Sequence, residues 1–155
     1  MQTLSYAALT PHRSAQSQQT ATAEQRYWKK YQPSTLTAQS HPVAAISSHQ
    51  NPHQLTAVAY ANTLLLTHPA PPEYYKPTAI RLQDNITAAC LRADGAVVAM
   101  GCEGGRIEVK DSKEKFHLRT FDHHKKRVNA LEYVGNFLYS GGDDCVLRQF
   151  DVAAG

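Results

Sequence analysis

The sequence has no apolar run that approaches membrane-spanning length, so it offers no candidate transmembrane helix and no membrane partner is expected. Its opening, MQTLSYAALTPHRSAQSQQ, lacks a basic flank followed by a long apolar stretch. No secretory signal is expected, and the compartment reads as intracellular. Cysteine is scarce: Cys90, Cys102 and Cys145 form no C-x-x-C pair and leave one over. That excludes a disulfide framework or a zinc knuckle, and all three read as small core residues. Helical periodicity is also absent. Charge is sparse at 19%, with a mild net charge of +3, but residues 106–127 carry eight Lys or Arg against four Asp or Glu. This local surplus could face an acidic partner.

What is present is an ordinary share of apolar residues, 42% of 155, enough for one core of a globular protein. Residues 14–23, SAQSQQTATA, are uniformly small or polar and read as an irregular connector, with structure expected from YWKKY at 27–31. From about residue 36 the pattern becomes short apolar runs of period two, broken by turn residues such as Asp94-Gly95. The decisive signal is self-similarity. MGCEGGRIEVKD, residues 100–111, aligns without gaps on SGGDDCVLRQFD, residues 140–151, an interval of 40 residues. Four-strand units of that length are the repeat of β-propellers, where each small sheet buries its faces against its neighbours.

The expected organisation is a lead-in segment over 1–35, then blades at about 36–83, 84–122 and 123–155, the last incomplete. Strands are predicted near 42–47, 54–60, 63–67 and 78–82 in the first blade. The second takes 86–92, 96–101, 106–110 and 116–121. The third takes 128–133, 137–141 and 145–152, with a turn at Gly135-Asn136, and stops one strand short. A proline-rich loop, HPAPPEYYKP, precedes the last strand of the first blade.

The stretch HHKKRVNALEYVGNFLYSGGDDCVLRQFD resembles a WD-repeat unit. The resemblance implies a buried relay in which Asp144 accepts from His124, His124 engages Ser140, and the hydroxyl would meet a Trp N–H at the position held here by Phe150. Those are also the residue types of a hydrolase triad. A triad needs an exposed nucleophile and an oxyanion pocket, whereas Ser140 falls within a strand paired on both edges, so the structural reading is preferred. No catalytic residue is assigned. Metal binding by Asp143, Asp144 and the histidines is not supported, because their spacing matches no ligand pattern, and no cofactor is expected. The second blade has Met100, Gly104 and Lys110 where Ser, Asp and Trp would sit, and has lost the relay.

YWKKYQP, ahead of a first blade containing HQNPHQLTAVA and followed later by LRTFDHHKKRV, is similar to the start of the U three small nucleolar RNA-associated protein fifteen family. The resemblance runs from about Tyr27 to the end. It implies an all-β fold, the N-terminal part of a seven-bladed WD-repeat propeller, with a strand near Gln2 to Leu9 completing the last blade and a helical C-terminal domain in complete members. It further implies a non-enzymatic nucleolar scaffold of the small-subunit processome that supports pre-rRNA processing and small-subunit rRNA maturation, with pre-rRNA transcription as a further role. Implied partners are the other subunits of the early processome subcomplex, and pre-rRNA or a small nucleolar ribonucleoprotein, directly or indirectly, with no small-molecule substrate. Lys125, Lys126, Arg127 and Trp28 are the candidate RNA or partner contacts, set against a solvated loop for the first three and plain packing for Trp28. An unrelated WD-repeat adaptor, such as a ubiquitin-ligase substrate receptor or a signalling scaffold, would carry the same loop pattern.

Overall fold

The computed structural model describes residues 22–29, 40–48, 55–68 and 76–153. Two units separate between Thr37 and Ala38 and are treated individually. In the first, Ala23–Trp28 forms a short helix, α1. The expectation of an irregular connector fails at its C-terminal end, where Thr22 and Ala23 start this helix. A capping box explains it: the Thr22 hydroxyl accepts from the Gln25 N–H at 3.2 Å, and the Gln25 side chain accepts from the Thr22 N–H at 3.1 Å. Six residues are too few to show the period that announces longer helices. The strand expected near Gln2 to Leu9, the rest of the connector and most of the proline-rich loop lie outside the described residues.

The second unit is three antiparallel sheets. The first blade orders β1 (Val43–Ser48), β2 (Thr56–Tyr60), β3 (Thr63–Thr67) and β4 (Thr78–Arg81) side by side. The second orders β5 (Ile86–Leu91), β6 (Val97–Cys102), β7 (Ile107–Asp111) and β8 (His117–Phe121) in the same way. The third has β9 (Val128–Val134), β10 (Phe137–Gly142) and β11 (Leu147–Asp151). Every strand lies on its predicted stretch, with ends differing by up to two residues.

Period-two alternation builds the core by sending successive side chains of the middle blade to opposite neighbours. Ala89, Leu91, Val98, Met100 and Cys102 pack with Leu64, Leu66 and Ile80 of the first blade. Ala88, Cys90, Val97, Ala99, Ile107 and Val109 pack with Val128, Leu131 and Leu138 of the third. With both faces covered, β6 is buried at every position, which is why its sequence reads as a continuous apolar run. Gly101 is required at the second seam, since a Cβ there would stand 2.6 Å from Val128 Cγ1. Two of the cysteines are core residues as expected, and burial pushes the Cys102 thiol up to about 12. Cys145 is not: it is exposed in the β10–β11 turn, in the left-handed region at φ 61°.

The 40-residue interval is a true structural register. Val97 pairs with Asp111 as Phe137 pairs with Asp151, so the β6–β7 and β10–β11 hairpins are paired in the same register. The innermost strands do not keep the interval: Ala88 faces Gly101, whereas Ala130 faces Gly141. Two residues have been added before β9, and two removed at the tight Gly135-Asn136 turn. The added residues lie in the basic stretch.

Candidate functional site

The structure brings Ser140 and Asp144 each within hydrogen-bond distance of His124. β10 carries Ser140 in mid-strand, paired with Leu131 on one edge and Arg148 on the other. His124, in the loop that enters β9, sets Nε2 2.7 Å from Ser140 Oγ and Nδ1 2.9 and 3.0 Å from the two carboxylate oxygens of Asp144. Asp144 also accepts the backbone N–H groups of Lys125 at 3.2 Å and Val146 at 3.3 Å. The His124 hydrogen bond, with help from these amides, holds the Asp144 carboxyl below the usual carboxylate range. An ionised carboxylate only accepts, so Nδ1 of His124 donates to Asp144, while Nε2 and the Ser140 hydroxyl share the second hydrogen bond.

The chemistry of this chain follows from its burial. Ser140, within β10, is 1% exposed, and His124, in the loop before β9, is 6% exposed. A nucleophile must be reached by its substrate, and this hydroxyl is closed off by strands on both edges. What the arrangement can do is fasten the β8–β9 loop to the β10–β11 turn. Gly142 lets it close: a Cβ there would meet the Arg127 carbonyl at 2.7 Å and His124 Nδ1 at 3.1 Å. Phe150, at the Trp position, brings no donor to the relay and instead stacks on Phe121 of the second blade, with ring centroids 4.3 Å apart.

Asp143 is tied as well, which its place outside the relay did not suggest. Its N–H donates to the Arg127 carbonyl at 2.9 Å, and its carboxylate accepts from the Asn129 side chain. The loop backbone is therefore pinned at His124, Lys125 and Arg127. The side chains of Lys125, Lys126 and Arg127 are exposed, and among the described residues none of the three has an ion-pair partner. Trp28 lies on α1 and meets Tyr27 edge to face at 5.2 Å.

In the second blade Met100 and Gly104 stand where Ser140 and Asp144 stand in the third, and sequence reasoning missed what holds the turn there. Asp84, 40 residues before His124, reaches the same turn directly, accepting the Gly104 N–H at 2.7 Å and the Asn85 N–H at 2.7 Å. A carboxylate at the His position does in one step what the imidazole and Asp144 do in two. Extending the 40-residue alignment back beyond residue 100 would have exposed this pairing. Among the described residues no group of three or more His, Cys, Asp or Glu could hold a metal ion, and no helix is long and apolar enough to cross a membrane.

Comparison with known proteins agrees with this geometry. Residues 115–151 match the WD domain, G-beta repeat family. Protein SLOW WALKER 1 of Arabidopsis thaliana is 32% identical over 136 residues, covering 85% of this chain and 25% of that protein. U3 small nucleolar RNA-associated protein 15 of Schizosaccharomyces pombe is 23% identical over 151 residues, covering 95% of this chain and 30% of that protein. The chain thus spans about a quarter to a third of the length of these curated relatives. A chain of the solved structure called Crystal Structure of Mitotic Checkpoint Complex matches with a TM-score of 0.63 at 19% identity, over 71% of this chain and 34% of its own length. That likeness concerns the fold alone. The chain folds as blades of a WD-repeat β-propeller, carries a matched WD repeat at residues 115–151, and across most of its length is similar in sequence to U3 small nucleolar RNA-associated protein 15.

Proposed function

We propose that this chain is part of a non-enzymatic scaffold of the small-subunit processome, acting in the nucleolus on pre-rRNA processing and small-subunit rRNA maturation. The observation that carries the reading is sequence similarity over 95% of the chain to a protein named for the U3 small nucleolar RNA. The site supports it in kind. A buried relay spends its polar groups on fixing a loop, and a fixed loop displays three cations at constant spacing. Positive groups on a rigid support attract phosphates without reading base sequence, which suits a scaffold that must hold RNA of varied sequence. Other processome subunits are the expected protein partners.

The test is native purification of the tagged full-length protein, followed by RNA sequencing and mass spectrometry of what comes with it. Pre-rRNA, U3 small nucleolar RNA and other processome subunits are expected. Recovery of a ubiquitin ligase or a signalling complex, without these RNAs, would replace the reading with that of an unrelated WD-repeat adaptor.

A further inference from the structure

The two seams between blades are filled differently at equivalent places. Phe121 ends β8 and faces the first residue of β7, Ile107. Arg81 ends β4 and faces the first residue of β3, Thr63. Phe150 pairs with Leu138 as Lys110 pairs with Val98. The stacked pair Phe121 and Phe150 at the second seam therefore corresponds to Arg81 and Lys110 at the first. One outer seam is closed by stacked rings, and the other brings together two cations.

The first seam is open in consequence. A groove of about 460 Å³ lies there, lined from the first blade by Arg81 and Gln83 and from the second by Arg106, Lys110, His117 and Thr120. The β7–β8 register places Lys110 opposite His117 and Glu108 opposite Thr120, so all four share the groove face. Glu108 is the one acid in the lining, and it is already engaged by Lys110 at 3.3 Å and Arg106 at 3.9 Å. Asp122 takes the other side of the Arg106 guanidinium at 3.3 Å. Arg81 is exposed and has no ion-pair partner among the described residues. The lining holds three cations against one carboxylate, with Gln83 as a further hydrogen-bonding group and the His117 imidazole and Thr120 hydroxyl bonded to each other at 2.6 Å.

The groove also leads to the basic loop. Gly105, next to Arg106, has its Cα so close to that loop that a Cβ would stand 2.4 Å from the His124 carbonyl oxygen and 2.9 Å from that of Lys126. The backbone of the basic loop therefore lies beside the Arg106 end of the groove.

We propose that the seam between the first and second blades is a binding groove for the phosphate backbone of an RNA strand, with Arg81 and Lys110 as its central contacts and the loop at 125–127 as its continuation. The inference rests on the processome reading for the identity of the polyanion. An open, uneven groove with cations on both walls accepts a flexible strand better than a flat patch does.

The experiment uses the full-length protein and a fluorescently labelled, unstructured RNA of mixed sequence, about 20 nucleotides long, a length that exceeds typical single-strand site sizes. The key variant is Arg81→Phe with Lys110→Phe, which installs the ring pair of the second seam and so keeps the fold. Its melting temperature is expected to match the wild type. Its RNA affinity is expected to fall at least about fivefold near physiological salt, with the slope of log K against log salt reduced by about 1.4, the value for two lost single-strand phosphate contacts. Unchanged affinity and slope in a folded variant would overturn the proposal. So would a wild-type protein that binds polyglutamate but not RNA, the outcome for an acidic protein partner. Should native purification still recover pre-rRNA while the groove variant binds RNA normally, the processome reading survives and the groove assignment fails. Should purification recover no pre-rRNA while groove binding to the test RNA is lost in the variant, the groove stands and the processome reading fails.

Discussion

The second and third blades solve the same problem with different parts. Each must fasten the loop entering its innermost strand to the turn between its second and third strands. In the third blade the link passes from Ser140 through His124 to Asp144, with Nε2 2.7 Å from the serine and Nδ1 2.9 Å from the carboxylate. In the second, Asp84 bonds the Gly104 N–H directly, and Met100 fills the place of the serine as a fully buried apolar residue. The difference follows from loop length. His124 to Val128 is two residues longer than Asp84 to Ile86, and the longer loop carries the cations. A short loop can be held by one carboxylate, whereas a longer one needs a partner that also grips the sheet. The relay is then a device for displaying an insertion, and burial is what makes its hydrogen bonds obligatory.

Altering His124 should break this comparison most strongly. His124→Ala in the full-length protein removes both relay bonds and leaves a cavity beside a stranded Ser140 hydroxyl, which should cost about 2–4 kcal/mol by denaturant titration. Asp144→Asn should be milder, lowering the melting temperature by a few degrees, because an amide oxygen still accepts from Nδ1. Its effect should also depend on pH in a defined direction. The carboxyl of Asp144 is held below its ordinary value, near 3.9 for an unfolded aspartate. Its contribution is therefore complete above about pH 4 and is lost as pH falls through the folded value. The difference between wild type and Asp144→Asn should shrink as pH falls through the range in which Asp144 protonates, as followed by thermal melts across acid pH.

In the second blade, Asp84→Ala leaves two backbone amides to water at a half-exposed site, and about 0.5–1.5 kcal/mol is expected in the same titration. A loss there equal to that of His124→Ala would erase the distinction between the blades. The smallest effect belongs to Asp143→Ala. It loses an exposed contact to Asn129 and should stay within about 0.5 kcal/mol.

The repeat made most of the second unit legible in the sequence. Strands alternating at period two, turns at Asp94-Gly95 and Gly135-Asn136, and the gapless match of residues 100–111 on 140–151 placed every blade hairpin. The relay was legible only through the resemblance of residues 123–151 to a WD-repeat unit, which places His124, Ser140 and Asp144 position by position. Asp84 escaped notice because an aspartate ahead of a strand is ordinary turn chemistry, and its partner is a backbone amide that leaves no mark in the sequence. The role of Phe150 was half-read: the missing indole donor was evident, but its stack on Phe121 depends on how two blades meet. The helix at Ala23–Trp28 went unseen because a single turn stabilised by a capping box has no period to detect. Cys145 was misplaced in the core because cysteine is mostly buried, and only backbone geometry shows it in an exposed turn.

The central claim is that the relay is a clamp on the basic loop. Amide hydrogen exchange of the full-length protein, wild type against Asp144→Ala, tests it most directly. Faster exchange is expected across 124–127 and 143–146, where the Lys125 and Val146 N–H groups lose their acceptor, with protection at 84–86 and 103–105 unchanged. Equal exchange in the two proteins across both loops would contradict the account, as would labelling of Ser140 by a serine-directed probe that Asp144→Ala abolishes.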